Sequence, residues 1–583
     1  MTQFFTFLVF KSIMYFIYHE IKTFFHYLKY LFNFLSCVSV FKYLIYKKKD
    51  YRILRNKTQK EVLEKNNFFW RTSLDSKDKQ DNILITSLID VLDYGIGNAL
   101  VGKMLSKILN KNSVALIREL HFKTEIFIRS FGIDKIYYVP EGNFFSRFKF
   151  LLKSIDLLKD IKTTDNLLNL KYQNIDVGIA AYDHHIRFTG IGSSDLINAK
   201  MVFFLSKALL VQNFSEKFFK LNSFTEVIQS EQQFLPSQII FQNALINKCN
   251  VFARIGIGNQ ISIMKYDNFN DRYKDRNCFS KSLINLVHKN FDQDKSKKVE
   301  NYIIERFKGN PKFSVDHGIF EDKLNNFEKE NSLFNNYTKI DLCKKFNWDI
   351  NKPIVGIFAS DMTDGVFKFD WKIFKDNWTG FLITMKTIKE IKNINWLIKA
   401  HPNDIKTKIT TETERHVIDL SKEFKNIKLF PKNFGNSPLP KIISAAITMS
   451  GSVGYEYPSL GIPSIVCAGT IYAGNGFTHE TQNIKDYKEI LNNVDKLPPL
   501  SHDQISRAKS FVYTHYILSK NTSSFIPETT KNLISGGYED VDFWKSLKIR
   551  IDNYNFEKDN FYKNFKIQLE KNDRHTINYN FLN

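Results

Sequence analysis

The feature that most constrains this fold is a series of short apolar runs that alternate with helix-length segments of mixed polarity. In the second half of the chain these runs lie at residues 353–359, 396–399, 427–430, 446–449 and 464–467. Short apolar runs bounded by polar turns predict buried strands, and their alternation with helices predicts a parallel sheet covered on both faces. In such a doubly wound sheet, ligands bind beyond the carboxyl ends of the strands.

A similar series occupies the first half, with predicted strands at residues 82–86, 113–117, 136–139, 177–181 and 251–255. Residues 267–347 are polar and lysine-rich with few apolar runs, which predicts a crossover between domains. We therefore predict an α/β protein with two Rossmann-like, doubly wound domains, residues 80–335 and 336–527, that face a cleft. Residues 528–583 are aromatic and charged without a sheet pattern, which predicts a helical tail.

Composition narrows the class of partner. A chain of 583 residues with 43% hydrophobic and 25% charged residues is a folded protein larger than one core. The formal charge of +22 favours an anionic partner. Because the lysines are scattered and no nucleic-acid module is recognisable, we expect a membrane surface and nucleotide phosphates rather than nucleic acid. The five cysteines form no Cys-x-x-Cys pair, which argues against disulfides and zinc and indicates a cytoplasmic protein.

Residues 1–50 are rich in Phe, Tyr, Leu and Ile, but Lys and His interrupt every apolar stretch. No clean span of about 20 apolar residues exists, and no cleavable signal is evident. Lysines among aromatics, with the cluster Lys47, Lys48 and Lys49, are typical of helices lying in a membrane interface. A helical hairpin packed on the protein itself is an equal alternative, and a signal anchor ending near Tyr46 is a third.

Polar loops follow the predicted strands of the second half at residues 360–365, 401–402, 450–452 and 469–476. Because the carboxyl ends of parallel strands share an edge, these loops predict one cleft. Ser450 and Ser452 flank Gly451, where backbone amides can approach an anion and hydroxyls can bind phosphate oxygens. Glu456 lies further along the next helix and could accept hydrogen bonds from ribose hydroxyls. A plain helix cap and a solvated carboxylate are the alternatives.

His401 could donate to a phosphate from either ring nitrogen if it is protonated, and Pro402 would hold its loop rigid. A structural histidine at a strand end is the alternative. Asp361 and Asp364 are three residues apart, so one of them is expected to point into the cleft while the other caps a turn. The adjacent histidines at 184 and 185 do not have the spacing of a metal pair.

These motifs, in this order, resemble a known family: the capsule polysaccharide biosynthesis proteins, bacterial glycosyltransferases of the GT-B architecture that include Kdo transferases. The similarity runs through residues 374–378, 387–388, 396–402 and 450–463, Tyr472, and residues 486–491. The resemblance implies a GT-B-like fold, to which the composition adds N-terminal hydrophobic helices and a helical C-terminal tail. It also implies a nucleotide-sugar-dependent glycosyltransferase without a bound cofactor. Because no acid-x-acid motif in a strand-loop context calls for a metal, we predict metal-independent transfer.

The resemblance assigns roles to these residues. The catalytic candidates are His401, Asp364 and Asp361, because the 360–365 loop is similar to an acidic loop that supplies the base in some CMP-sugar transferases. The donor-binding candidates are Ser450, Gly451, Ser452, Glu456, Pro402 and Tyr472. Arg187, in a segment similar to one that faces the cleft in the family, and Lys399 are candidates for binding the anionic substrate. For Arg187, a structural ion pair is the alternative.

The resemblance suggests a CMP-linked acidic sugar such as Kdo as donor. It also suggests a capsular or surface polysaccharide, or a lipid-linked acceptor, at the inner face of the cell membrane. Three other functions stay open. They are polyol-phosphate transfer from a CDP-alcohol, nucleotide-sugar epimerisation, and a non-catalytic component that binds or exports polysaccharide.

Overall fold

The structure, a computed structural model, describes residues 2–35, 56–73, 82–119, 121–310, 337–367, 372–401, 410–431, 434–528 and 540–582. In part of the first helix, at residues 2–5 and 23–35, it describes the backbone alone. Three sequence predictions, the Lys47–Lys49 cluster, the end of a signal anchor near Tyr46 and the role of Pro402, lie outside the described residues.

The strands are β1 (Asn82–Ser87), β2 (Asn112–Arg118), β3 (Ile136–Val139), β4 (Phe224–Ile228), β5 (Asn250–Ile255), β6 (Gln260–Tyr266), β7 (Ile354–Phe358), β8 (Asn395–Lys399), β9 (Ile427–Leu429), β10 (Ala445–Thr448), β11 (Ser464–Val466), β12 (His479–Glu480) and β13 (Asn521–Thr522).

The α-helices are α1 (Thr2–Leu35), α2 (Lys57–Thr72), α3 (Leu92–Leu109), α4 (Phe122–Ser130), α5 (Phe144–Leu157), α6 (Thr164–Leu168), α7 (Val177–Thr189), α8 (Ala199–Leu221), α9 (Ser237–Ile246), α10 (Lys281–Lys289), α11 (Gln293–Phe307), α12 (Lys339–Phe346), α13 (Asn377–Ile388), α14 (Thr410–Glu423), α15 (Val453–Glu456), α16 (Ile484–Asn492), α17 (His502–Tyr513), α18 (Val541–Asn553) and α19 (Asn560–Lys571). Short 3₁₀ turns lie at Phe269–Tyr273, Leu439–Lys441, Pro458–Leu460, Val494–Lys496, Phe556–Lys558 and Tyr579–Leu582, and a π-helical turn at Thr514–Leu518.

The chain divides into two compact units. Unit 1 comprises Met1–His185, Ser194–Arg272 and Lys520–Asn583, and unit 2 comprises Ile186–Ser193 and Tyr273–Ser519. The predicted class, α/β with two largely parallel sheets, is confirmed. The unit boundary falls at Tyr273 rather than at residue 336, because helices α10 and α11 of the predicted crossover pack on α17 of unit 2.

Unit 1 is built on a sheet of seven strands in the order β13-β6-β5-β4-β1-β2-β3. The strands from β5 to β3 are parallel; at the other edge β6 runs antiparallel to β5, and β13 pairs antiparallel with β6. The C-terminal helices α18 and α19 belong to the core of this unit, because Trp544 and Phe565 are fully buried against residues of β1 and α3. The described part of the predicted tail, residues 540–582, is therefore largely helical, and it contributes to the hydrophobic core of unit 1.

Four of the five strands predicted in the first half are confirmed as β1, β2, β3 and β5, and the prediction at residues 177–181 is wrong. Those residues open helix α7. The apolar run was misleading because a helix buried on most of its surface and a buried strand show the same short hydrophobic pattern. Gly178 permits the close packing of α7, since a Cβ there would lie 1.8 Å from the Leu167 carbonyl oxygen.

Unit 2 is built on a six-stranded sheet in the order β12-β11-β10-β7-β8-β9, and every pair in it is parallel. All five strands predicted here are confirmed. Alternate residues of β8 enter separate cores. Trp396 and Ile398 pack with Phe381, whereas Leu397 packs with Trp348. Both faces of the sheet are thus covered, as in a doubly wound fold.

The strand order of unit 2 reverses at its centre. From β7 the chain moves outward to β8 and β9, then returns to place β10 on the other side of β7. The connection after β7 runs towards β8, whereas the connection after β10 runs the other way, towards β11. A crevice therefore opens between the carboxyl ends of β7 and β10. The fold thereby fixes where unit 2 can bind a ligand.

Candidate functional site

A small crevice, partly open to solvent, lies at the switch point between β7 and β10, with an accessible volume of about 20 Å³. Its walls come from the end of β7, the start of α13, the end of β10 and one residue of α16. The lining residues are Ile357, Phe358, Ala359, Ser360, Met362, Asn377, Phe381, Thr384, Ile447, Thr448, Met449 and Tyr487. The lining is mostly apolar, and its polar groups come from Ser360, Asn377, Thr384, Thr448 and Tyr487.

The loop after β7 is closed by Asp361, whose side chain is 8% exposed. Its Oδ1 accepts hydrogen bonds from the backbone N–H of Thr363 at 2.9 Å and of Asp364 at 3.0 Å. Asn377 adds a bond from its side-chain amide to the Asp361 carbonyl at 2.6 Å. An aspartate that bonds the backbone two and three residues ahead holds a turn in one conformation.

The other oxygen of Asp361 faces His401. Among the described residues Oδ2 has no hydrogen-bond partner, and it lies 4.0 Å from His401 Nδ1. The His401 side chain is 32% exposed, so one side of its ring faces the carboxylate while part of it stays open to solvent. At this distance two unit charges attract by about 4 kcal/mol at an effective dielectric constant of about 20, and solvent reduces that value. The carboxylate is therefore buried behind a partly exposed imidazole.

Asp364 and Arg187, predicted separately, face each other. Arg187 Nη1 lies 3.6 Å from Asp364 Oδ1, and the two side chains are 38% and 43% exposed. Arg187 lies in the last turn of α7, and the segment after this helix packs on the start of α13, where the Ser193 and Thr379 hydroxyls are 3.3 Å apart. The expected alternative for Arg187, an ion pair, is what the structure shows. A pair this exposed is weak, so either partner can exchange it for a substrate group.

The turn after β10 carries the predicted small residues. The Gly451 N–H donates to Thr448 Oγ1 at 3.0 Å, and helix α15 begins at Val453 after Ser452. Within the described part of the chain, the hydroxyls of Ser450 and Ser452 make no hydrogen bond, and both residues are partly exposed. Because α15 is a single turn, the dipole expected there is small. The hydroxyls are the groups of this turn that can bind an anion.

Tyr472 packs beneath this turn and hydrogen-bonds to its backbone. Its ring is fully buried, and its hydroxyl donates to the Gly451 carbonyl at 2.9 Å. The hydroxyl packs so closely that a Cβ on Gly454 would lie 2.0 Å from it. Burial raises the pKa of the Tyr472 phenol, so it stays a neutral donor. The structure thus places Tyr472 beneath the turn, away from solvent.

Glu456 lies in a buried polar network rather than in solvent. Its side chain is 4% exposed, and Oε1 accepts from Arg306 Nε at 2.6 Å and from the Tyr516 hydroxyl at 2.7 Å. Tyr516 is also 2.7 Å from the Tyr455 hydroxyl and stacks on Tyr302 with ring centroids 4.6 Å apart. Sequence reasoning missed Arg306, because it belongs to a polar helical segment with no motif around it.

Lys399 ends β8, and its ammonium group donates to Asn436 Oδ1. The ammonium also lies 5.1 Å from the centroid of the Phe430 ring. Burial lowers the pKa of Lys399 to about 8. Lys399 is therefore held by protein groups, and its charge is sensitive to mildly alkaline pH.

The strand registers show which predicted residues share an edge. Phe358, the last residue of β7, pairs with Lys399 on one side and with Thr448 on the other. The loops that carry Asp361, His401 and Ser450 therefore leave the sheet at one level. Glu456, Tyr472 and Lys399 are instead engaged by neighbouring protein groups. Among the residues that the structure describes, no group of three or more His, Cys, Asp or Glu side chains is arranged to hold a metal ion.

No family model and no curated protein matches this chain. Among solved structures, it is similar to the KpsC β-Kdo 2,4 transferase of Thermosulfurimonas dismutans at 12% identity, over 52% of this chain and 82% of that one, with a TM-score of 0.31. The β-Kdo 2,7 transferase of the same organism matches at 12% identity, over 58% and 88%, with a TM-score of 0.29. A Neisseria meningitidis UDP-GlcNAc 2-epimerase matches at 13% identity, over 74% and 99%, with a TM-score of 0.24.

Kdo transferases, the class whose motifs the sequence resembles, are thus among the structural neighbours. At these identities and TM-scores the likeness carries no argument about activity. The chemistry therefore has to be argued from the side chains at the β7–β10 crevice.

Proposed function

We propose that this protein is a metal-independent glycosyltransferase that moves a sugar from a nucleotide donor to a surface polysaccharide or a lipid-linked acceptor. The observation that carries this proposal is the Asp361–His401 pair, which leaves the same sheet edge as the Ser450–Ser452 turn at the switch point of unit 2. An oriented imidazole and two hydroxyls are groups that bind and stabilise a phosphate.

In this reaction the bond between the sugar carbon and the donor phosphate breaks, and the acceptor oxygen forms the new bond to that carbon. Negative charge grows on the departing phosphate. His401 donates to that charge, and Asp361 stabilises the imidazolium from behind. The hydroxyls of Ser450 and Ser452 donate to other phosphate oxygens. The acceptor hydroxyl loses its proton to Asp364, a carboxylate in the adjoining loop.

An acidic donor sugar suits the pair formed by Arg187 and Asp364. Its carboxylate can take the place of Asp364 at the Arg187 guanidinium, because the existing pair is long and exposed. This exchange leaves Asp364 available as the base. A CMP-linked acidic sugar such as Kdo is therefore the donor that we propose, and a CDP-alcohol is the alternative among cytidine nucleotides.

We place the reaction in the cytoplasm at the inner face of the cell membrane. The net charge of +22 favours peripheral contact with anionic lipid, where a lipid-linked acceptor would be found.

Ligand-induced stabilisation tests the donor class. CMP, CDP and UDP are added separately, and the melting temperature of the full chain is measured. A nucleotide at about 100 times its Kd stabilises the folded state by about 2.7 kcal/mol. Selective protection by CMP, with turnover of CMP-Kdo but not of CDP-glycerol or UDP-GlcNAc, is the expected result. Protection by none of the three, with no turnover, contradicts the proposal.

The Asp361–His401 pair is tested by Asp361→Asn. The amide oxygen can keep the turn bonds of Oδ1 while the charge facing His401 is lost. We expect transfer to slow by about 10- to 100-fold, which corresponds to about 1.4–2.7 kcal/mol in the barrier, with an unchanged melting temperature.

Asp376→Asn is the matched control. Asp376 is 2% exposed and caps α13 by accepting from the Thr379 N–H at 2.8 Å, and Asn is an equally good cap. Equal rates for the two variants and the parent would contradict the role of the pair. A folded His401→Ala variant with full biological activity would instead favour the non-catalytic component.

A further inference from the structure

An exposed apolar stripe runs along helix α1 of unit 1. Its members recur at spacings of three and four residues and are 42–63% exposed: Phe7, Phe10, Met14, Ile17, Tyr18 and Ile21. Side chains at this spacing lie on one face of a helix. Large exposed apolar surfaces mark binding sites, so we expect this face of α1 to bind a partner or a membrane surface.

The opposite face of α1 is fixed to unit 1. Phe16 is 1% exposed, and its ring lies 5.7 Å from that of Phe144 on α5. Tyr15 meets Phe203 of α8 edge to face at 5.4 Å. Glu20 forms an ion pair with Arg147, in which the two side chains are 15% and 25% exposed. Because these contacts fix the orientation of α1 about its own axis, the stripe faces away from unit 1.

The charges along the stripe are positive. Lys11 and Lys22 are exposed, and the Lys11 ammonium lies 4.2 Å from the centroid of the Phe7 ring. The only acid in the sequence of α1 is Glu20, which Arg147 already engages. A second copy of this helix would bring lysines together without an acid to pair with them, which disfavours a homodimer through the stripe. Anionic lipid headgroups complement the lysines.

Two further aromatic side chains are exposed on α5, the helix against which α1 packs. Phe144 is 49% exposed and Phe145 is 80% exposed, and their rings lie 5.7 Å apart. Among the described residues, no helix has the length and apolarity to cross a bilayer. Aromatic side chains backed by lysines are typical of a helix that lies in the interface plane, with its rings at the headgroup boundary.

We propose that the stripe on α1 is the surface by which this protein binds an anionic bilayer, with α1 parallel to the membrane plane. This assigns the peripheral contact to particular residues. It does not depend on the transfer chemistry proposed above.

The test is co-sedimentation of the full chain with phosphatidylcholine vesicles, with and without phosphatidylglycerol. Binding is expected to increase with phosphatidylglycerol and to weaken as salt is raised. Phe10→Glu and Ile17→Glu are each expected to lower partitioning by at least ~30-fold, because each removes an inserted apolar side chain. Lys11→Gln is expected to lower binding by roughly fivefold on anionic vesicles only.

Phe68→Glu and Ile549→Glu are the matched controls. These residues are 71% and 63% exposed on α2 and α18, also in unit 1, and are expected to change nothing. All substituted side chains are exposed, so the melting temperature is expected to stay constant. His401→Ala is expected to bind vesicles normally even if it abolishes transfer, which separates this proposal from the preceding one.

Three results would overturn the proposal. One is equal vesicle binding by Phe10→Glu, Phe68→Glu and the parent. Another is a dimer that dissociates in Phe10→Glu, which would make a second copy the occupant. The third is a monomer that binds neither kind of vesicle, which would mean that the stripe is covered by another part of the chain.

Discussion

Replacing Glu456 by alanine removes the centre of the buried network in unit 2. The carboxylate receives bonds of 2.6 Å from Arg306 and 2.7 Å from Tyr516, and the Glu456 and Arg306 side chains are only 4% and 19% exposed. Burial acts against the charge on Arg306, but the attraction of Glu456 together with that of Tyr516 and Tyr455 outweighs burial and raises the pKa of the guanidinium. Because an arginine side chain keeps its proton in proteins, Arg306 stays charged when its carboxylate partner is removed.

The expected loss follows from that geometry. Removing one partner of a buried ion pair costs about 3–5 kcal/mol, because the remaining charge keeps its desolvation cost without this attraction. Tyr516 loses an acceptor as well. Glu456→Gln is expected to lose less, since the amide oxygen still accepts hydrogen bonds from both donors.

Hydrogen–deuterium exchange of α11 and of the Thr514–Leu518 turn measures this loss within unit 2, independently of unit 1. A loss of about 3–5 kcal/mol raises exchange through opening of this region by between about 100-fold and several thousand-fold. Asp419→Ala is the matched control. Asp419 also pairs at 2.6 Å, with Lys422, but the two side chains are 57% and 71% exposed, so no measurable change is expected.

Equal exchange in Glu456→Ala and Asp419→Ala would refute the reasoning, because burial would then not decide the strength of the pair. A second outcome would also contradict the role of Glu456 in the network. If Glu456→Ala keeps its protection from hydrogen exchange but is no longer stabilised by nucleotide, Glu456 makes the ribose contact that the sequence predicts.

Further predictions concern single sites. Gly454→Ala is expected to cost about 1–3 kcal/mol in urea unfolding, because the Cβ would lie 2.0 Å from the Tyr472 hydroxyl. Gly95→Ala, where the nearest atom is 3.9 Å away, is expected to be neutral or stabilising. Lys399→Met is expected to raise the melting temperature at neutral pH. Because the folded-state pKa of Lys399 is lowered to about 8, this gain is complete below pH 8 and disappears by pH 10.5. Burial lowers the pKa of His184 to about 3, so unfolding is favoured as pH falls below 6.5, by about 1.4 kcal/mol per pH unit. His184→Gln is expected to reduce the slope of a stability titration by this amount, while buried His185, whose pKa is lowered to about 4, keeps its own contribution.

The strand predictions show what a local pattern can and cannot resolve. Those made in unit 2 are all confirmed, because parallel strands buried on both faces are short, apolar and bounded by polar turns. Residues 177–181 show the same pattern and are helical, because a helix buried on most of its surface carries the same short apolar run as a buried strand. The edge strand β13 pairs at two residues only, which leaves no hydrophobic pattern to find.

The candidate site divides in the same way. The sequence was sufficient to place Asp361, His401 and the Ser450–Ser452 turn at one edge, because their loops follow parallel strands of a single sheet. It could not show that Asp361 holds its own turn with one oxygen while the other faces the imidazole. That arrangement depends on side-chain directions, which spacing along the chain does not determine.

The amino-acid sequence by itself determined the α/β class, the parallel strands of unit 2 and the edge where polar loops gather, since these follow from local hydrophobic period and strand direction. Tertiary structure alone decided that Arg306 holds Glu456, that the C-terminal helices complete the core of unit 1, and which face of α1 is left exposed. The reason is physical: each of these depends on contacts between residues far apart in the chain, and burial is a property of the whole fold.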